Sequence, residues 1–141
     1  MTMVSRPVGY TRDAGWQVGA SRTLDHPLEQ IWDFLRSPQG VALWLARGVH
    51  VPTELGAQID APDGAVGEIR GYRAFDRIRL TWQPPDWDHE STVQVSLRPA
   101  GASRTSIRFH QERLADARER EQQREHWKGV LTALAAALDS D

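Results

Sequence analysis

The sequence predicts an α+β domain: a curved antiparallel sheet wrapped around a long C-terminal helix, with two short helices after the first strand. Three observations predict it. Apolar residues alternate with period two through the middle of the chain, from Val66 to Gln111. The spacing switches to helical from about Asp116 onward. Two proline-led apolar segments, at Pro27 and Pro38, follow directly on the first alternating run.

The first fifteen residues, polar with Pro7 and Gly9, read as an N-terminal arm, and residues 16–141 as a single domain. Trp16, Val18, Ala20 and Leu24 alternate with polar or small residues, the pattern of a strand, with Arg22 interrupting the apolar set. Pro27 suits the first position of a helix, and Asp25 or His26 ahead of it can cap. Leu28, Ile31, Trp32 and Leu35 then fall on one helical face. Ser37-Pro38 repeats the start signal, and Val41, Trp44 and Leu45 make a second, shorter helix.

A strand pair is expected around Val49–Val51 and Ala57–Ile59, followed by an Asp63-Gly64 turn. Val66–Phe75, Ile78–Gln83, Thr92–Arg98 and Thr105–Gln111 are the strongest strands, and their short links make an antiparallel meander. In the last third Trp127, Val130, Leu131, Leu134 and Leu138 recur at helical spacing among alanines, predicting one helix of about 20 residues. Its charged start, "ERLADAREREQQRE", reads most plainly as a solvated helix surface with opposite charges three or four apart.

Composition narrows the chemistry. With 17 Lys and Arg against 19 Asp and Glu, the net charge of -2 gives no bulk attraction for nucleic acid. The absence of cysteine removes disulfides, thiol nucleophiles and thiolate metal sites. No segment approaches the ~18 to 20 apolar residues of a membrane span, and no signal peptide is visible, so a cytoplasmic location is expected. No Gly-x-Ser-x-Gly elbow, phosphate loop or dinucleotide fingerprint is present. "DWDHE", Asp86 to Glu90, matches no calcium-loop or paired-histidine pattern, so no metal is expected, and no cofactor is implied.

The order of elements is that of the helix-grip fold. "HPLEQIWDFLRSPQGVALWL", "GEIRGYRAFDRIRLTW", "STVQVSLRPAGASRTSIRFHQE" and "HWKGVLTALAAAL" resemble, in sequence order, the bacterial homologues of the activator of the heat-shock-protein ATPase, within the START-related SRPBCC superfamily. The resemblance runs from about Trp16 to Leu138. His26 stands where that family has a small polar cap. The eukaryotic activators carry a further domain where this sequence has about fifteen residues, so the expectation drawn from the resemblance is binding rather than ATPase activation.

The resemblance implies a hollow between sheet and last helix, taking a small apolar or amphipathic molecule. The expected lining is Trp44, Ile69, Arg70, Tyr72, Leu80 and Trp82, facing Val93, Phe109, Trp127, Leu131 and Leu134, with Trp87, beyond Pro84-Pro85, as a gate. In a solid domain the same residues are simply core. Arg22, Arg70, Tyr72, His110 and Gln111 are the polar groups that could face inward, and alternation alone does not decide which face holds Arg70 and Tyr72. An enzymatic alternative, cyclase- or hydrolase-like, requires at least two of Arg70, Tyr72 and His110 to converge on a substrate carbonyl. A third expectation is a chaperone partner or stress-response module. A homodimer is the assembly left open.

Overall fold

Alternating apolar residues form a ladder only where each strand finds a neighbour, and here seven strands do so in one antiparallel sheet. The structure, a computed structural model, describes residues 8–12 and 14–140. Its strands are β1 (Tyr10–Thr11), β2 (Gly15–Leu24), β3 (Gln58–Asp60), β4 (Val66–Arg73), β5 (Arg77–Gln83), β6 (Ser91–Gly101) and β7 (Arg104–Leu114). The sheet order is β1-β2-β7-β6-β5-β4-β3, so the expected meander runs back across the sheet and closes on the first long strand. The helices are α1 (Leu28–Arg36), α2 (Pro38–Trp44) and α3 (Ala117–Asp139). α3 packs against β2 and β7, which is the helix-grip arrangement.

Register puts Leu80 opposite Val93, Val95 opposite Phe109, and Leu97 opposite Ile107. All six are at most 1% exposed. Against them α3 lays Trp127, Val130, Leu131, Leu134, Ala135 and Leu138, and α1 adds Ile31, Trp32 and Leu35. Burial of these side chains is the main force holding helix to sheet, at roughly 1.5–3 kcal/mol for each large one. Further along, α2 brings Trp44 under the sheet, where its ring centroid lies 6.0 Å from that of Phe109.

The helix starts obey local rules with one exception. Ser37 Oγ accepts from Gly40 N at 3.0 Å and donates to Phe34 O at 2.6 Å, capping α2 as expected. Asp116 caps α3 through Glu119 N at 2.8 Å, while Glu119 reaches back to Ala115 N at 3.0 Å, a reciprocal cap. α1 has no side-chain cap. Asp25 pairs instead with Arg104, and His26 Nε2 lies 2.7 Å from Asp139 Oδ1, tying the start of α1 to the end of α3.

Three sequence expectations need correcting. Val49–Val51 forms no strand, although Val49 and Val51 are buried. Pro52 removes a donor, Gly48 turns with φ 74°, and Val51 O accepts from Arg36 Nη2 at 3.3 Å, so the alternation records packing without a ladder. Conversely, Tyr10–Thr11 pairs with Trp16 and Gly15 inside the segment read as an arm; residues 1–7 lie outside the described part. The link between the last two strands is also tighter than expected, Ala102 and Ser103 alone separating β6 from β7.

Candidate functional site: a tryptophan-walled cavity between sheet and helices

Three of the expected lining residues, Trp44, Trp82 and Trp127, do enclose one hollow. It has a volume of about 180 Å³ and opens at the end of the sheet where the β3–β4 and β5–β6 loops meet α3. Leu45, Ala65, Pro84 and Pro85 complete its apolar wall, and Asp63, Gln111, Gln123 and His126 supply polar atoms. Such a mixture, mainly apolar with a few fixed polar groups, is what small-molecule sites are made of.

The walls are held by hydrogen bonds that the alternation pattern does not show. Trp127 Nε1 donates to Gln111 Oε1 at 2.9 Å; Gln111 Nε2 donates to Ser91 Oγ at 2.9 Å; and Ser91 Oγ donates to Trp82 O at 2.7 Å. One chain of polar contacts thus joins α3, β7, β6 and β5, setting the Trp127 indole and anchoring the backbone of Trp82. Gln111 and Ser91 are 1% and 0% exposed, so these bonds replace water rather than compete with it. Trp44 is fixed separately, its Nε1 donating to Leu35 O at 2.8 Å. Trp127 also stacks on Phe109, with centroids 4.7 Å apart and planes at 13°.

Gly67 explains the remaining wall. It sits directly opposite Trp82 in the β4–β5 ladder, and a Cβ there would run into Thr81 O and press on the Trp82 ring. The glycine lets the indole lie flat across the neighbouring strand. At the mouth, Asp63 Oδ1 accepts from Ala65 N at 2.9 Å and holds the hairpin whose Gly64 faces Pro85. His126 presents one edge to solvent and sets its ring edge-on to Trp127 at 4.7 Å; burial on that side lowers its pKa.

The other expected lining residues lie elsewhere. Ile69, Leu80, Val93, Phe109, Leu131 and Leu134 are packed into the core beyond the cavity wall. Arg70 and Tyr72 part company, because β4 carries a bulge between Ile69 and Gly71. Arg70 is the extra residue and turns to the outer face, 3.0 Å from Glu68. Tyr72 therefore falls opposite Ile78 on the inner face, edge-on to Trp32 at 5.8 Å and under the Arg36 guanidinium at 5.4 Å. It does not line the cavity. His110 also lies on the outer face, its Nε2 3.0 Å from Gln17 Oε1. Arg22 stands opposite Ile107 yet is exposed. The convergence of two of Arg70, Tyr72 and His110 that carbonyl activation needs is not present.

Trp87 sits beside the mouth rather than in it. Its amide bonds to Pro84 O at 3.0 Å and its carbonyl accepts from Gln83 Nε2 at 2.7 Å, closing a turn over the double proline. The ring stacks on His89 at 4.9 Å, and His89 Nε2 lies 2.9 Å from Glu119 Oε1 at the start of α3. Burial draws the His89 pKa down, but the hydrogen bond and charge of Glu119, with Glu90 and Asp88, outweigh it and leave the value raised. The loop bearing Pro84 and Pro85 is thus latched to α3.

Strand parity with Phe109 brings Gln111 inward, but nothing in the sequence links it to Ser91 or Trp127. Asp63, Gln123 and His126 carry no sequence mark of a cavity at all. Their signal is the adjacency of two loops in space, which one sequence does not carry. Among the described residues no helix is long and apolar enough to cross a membrane.

Comparison with curated proteins returns no match. Solved structures match well in fold. Protein MLL2253 from Mesorhizobium loti superposes with a TM-score of 0.73 at 24% identity, covering 88% of this chain and 97% of that one. PFC0360w, an HSP90 activator from Plasmodium falciparum, gives 0.73 at 16% identity, covering 87% and 96%. The Aha1 dimer from Colwellia psychrerythraea gives 0.68 at 15% identity, covering 86% and 95%. A family model extends over residues 25–139, from the start of α1 to the end of α3, and by that match the chain belongs to the family described as Activator of Hsp90 ATPase homolog 1-like protein.

Proposed function

We propose that this protein binds a small apolar or amphipathic molecule, without covalent chemistry, in the hollow between the sheet and α3, and that it does so in the cytoplasm. The observation that carries the reading is the enclosed space itself, walled by Trp44, Trp82 and Trp127 and held open by the Gln111–Ser91 hydrogen bonds. A hydrogen-bonded wall keeps its shape when empty, so a ligand entering it meets little ordering cost. The volume of about 180 Å³ is below the ~300–1,000 Å³ of sites for drug-sized molecules. The occupant is accordingly the size of a single ring or short chain, its polar end toward Gln123 and His126. Native mass spectrometry of gently purified protein, with a dye-displacement screen of single-ring compounds, tests this. A copurified or displacing compound supports it; neither one in a folded sample sinks it.

A second reading rests on family membership. The Plasmodium relative is an HSP90 activator, and the Colwellia relative is a dimer. The Trp87 turn and the charged first half of α3, joined by His89 and Glu119, form one continuous surface on which a chaperone ATPase or a second copy could dock. A pull-down recovering a chaperone ATPase, weakened by Trp87→Ala, would support that role, and a clean negative would remove it.

A further inference from the structure

The outer face of the sheet, opposite the cavity, carries two further depressions, one lined by Arg70, Arg79 and Arg113 with Glu90, and one around Ser96 whose chemistry is different. The Ser96 depression measures about 320 Å³ and is lined by Gln94, Ser96, Arg98, Arg108 and His110. Register shows how it is built. Ser96 has Arg77 directly opposite on β5 and Arg108 directly opposite on β7; Gln94 faces His110; and Arg98 lies one outward position further along β6. Adjacent strands are ~4.8 Å apart, so the Arg77 and Arg108 backbones stand roughly 10 Å apart with Ser96 midway. A side chain of arginine length is long enough to span the distance from either neighbouring strand to Ser96.

The charge around Ser96 is unbalanced. Asp76, in the β4–β5 turn, is shared by three arginines: Arg98 at 2.6 Å, Arg73 at 3.5 Å and Arg77 at 3.8 Å. Arg108 has no carboxylate within ion-pair distance among the described residues; its guanidinium rests over Gly19 of β2, from where it must swing across β7 to reach Ser96. Three guanidiniums therefore share one aspartate, and Arg108 adds a fourth positive charge with no carboxylate beside it. The next carboxylate along β7, Glu112, is engaged by Arg79 at 3.3 Å and lies 3.6 Å from His110 at the edge of the depression. This local excess of positive charge sits on a chain whose net charge is -2, so it is a feature of the face and not of the protein.

We propose that the Ser96 depression is a binding site for a phosphate-bearing ligand, held by the Arg108 and Arg98 guanidiniums with the Ser96 hydroxyl and Gln94 amide completing the contacts. Guanidinium forks match the oxygens of a tetrahedral dianion two at a time, and a hydroxyl and an amide supply donors between them. The same chemistry could come from a free phosphorylated solute or from a phospholipid headgroup.

Isothermal titration at low salt with pyrophosphate, and separately sedimentation with anionic phosphatidylglycerol and neutral phosphatidylcholine vesicles, distinguish the two sources. Saturable one-to-one binding of pyrophosphate, or of anionic vesicles only, is expected, weakened at least about tenfold by Arg108→Gln and abolished by Ser96→Asp. Arg70→Gln, in the neighbouring arginine-lined depression of the same face, is expected to stay within about twofold of wild type. Circular dichroism confirms that each variant is folded. The proposal fails if neither probe binds saturably, or if Arg70→Gln and Arg108→Gln weaken binding equally, since that is general surface charge.

Discussion

Replacing Gln111 with leucine tests the cavity wall where it is most sharply defined. Leucine keeps an apolar side chain of similar reach but removes both polar atoms. The Trp127 indole N–H then stays buried without an acceptor, and Ser91 Oγ loses its donor from Gln111 while still bonding Trp82 O. An unsatisfied buried donor costs about 1–3 kcal/mol, and a lost neutral hydrogen bond about 0.5–1.5 kcal/mol. Together they amount to about 2–4 kcal/mol, offset in part by the added apolar surface. In urea, with a slope of ~2 kcal/mol per molar, the unfolding midpoint drops by about 1–2 M. The unfolding curve followed by tryptophan fluorescence reads this directly. A second variant, Ser91→Ala, and the double variant complete a cycle, and the double loss should be smaller than the sum. A midpoint within about 0.2 M of wild type for Gln111→Leu would show that the relay does not hold the wall.

Gly67→Ala should destabilise the fold by roughly 2 kcal/mol or more, because the new methyl meets the Thr81 carbonyl and the Trp82 ring; thermal melting checks it, and an unchanged melting temperature contradicts the packing described. Trp82→Ala should cost about 3 kcal/mol and enlarge the hollow, so that it takes up a larger aromatic dye than wild type does. The His89–Glu119 latch has a definite sign with pH. Since the folded pKa of His89 is raised, its contribution is complete below the unfolded value of 6.5 and fades as pH rises through the folded value. His89→Gln should therefore be less stable than wild type at pH 6 by up to about 1 kcal/mol, with the gap narrowing by about pH 9. An equal gap at both pH values would assign the histidine a packing role only.

The fold is legible in the sequence because its signals are local and repeated. Strand alternation from Val66 to Gln111 and the apolar spacing of Trp127 to Leu138 both survive into the structure, since burial against one partner imposes one period. The site is legible only in part. Trp44, Trp82 and Trp127 can be read from the chain because large aromatics at inward positions near strand and helix ends must wall any space that exists there. Arg70 and Tyr72 defeat parity for a specific reason: one bulged residue reverses every later side chain on the strand, and nothing in "GEIRGYR" marks it except Gly71. Val49 and Val51 show the converse, alternation imposed by packing on a segment whose proline and turning glycine deny it a ladder. The Gln111 relay is out of reach, because its partners lie 16 and 20 residues away in sequence and meet only through register and helix docking.

Whether the tryptophan-walled hollow receives a small molecule is read most directly from nitrogen–proton correlation spectra, since the indole N–H groups of Trp44 and Trp127 sit in its wall and give resolved signals. Titration with single-ring aromatic compounds should shift these two indole signals together and saturably, with the amides of Ala65 and Gln111, while the indole of Trp16 at the far edge of the sheet stays in place. Saturable shifts confined to exposed positions, or none at these two indoles with any compound of that size, would contradict it.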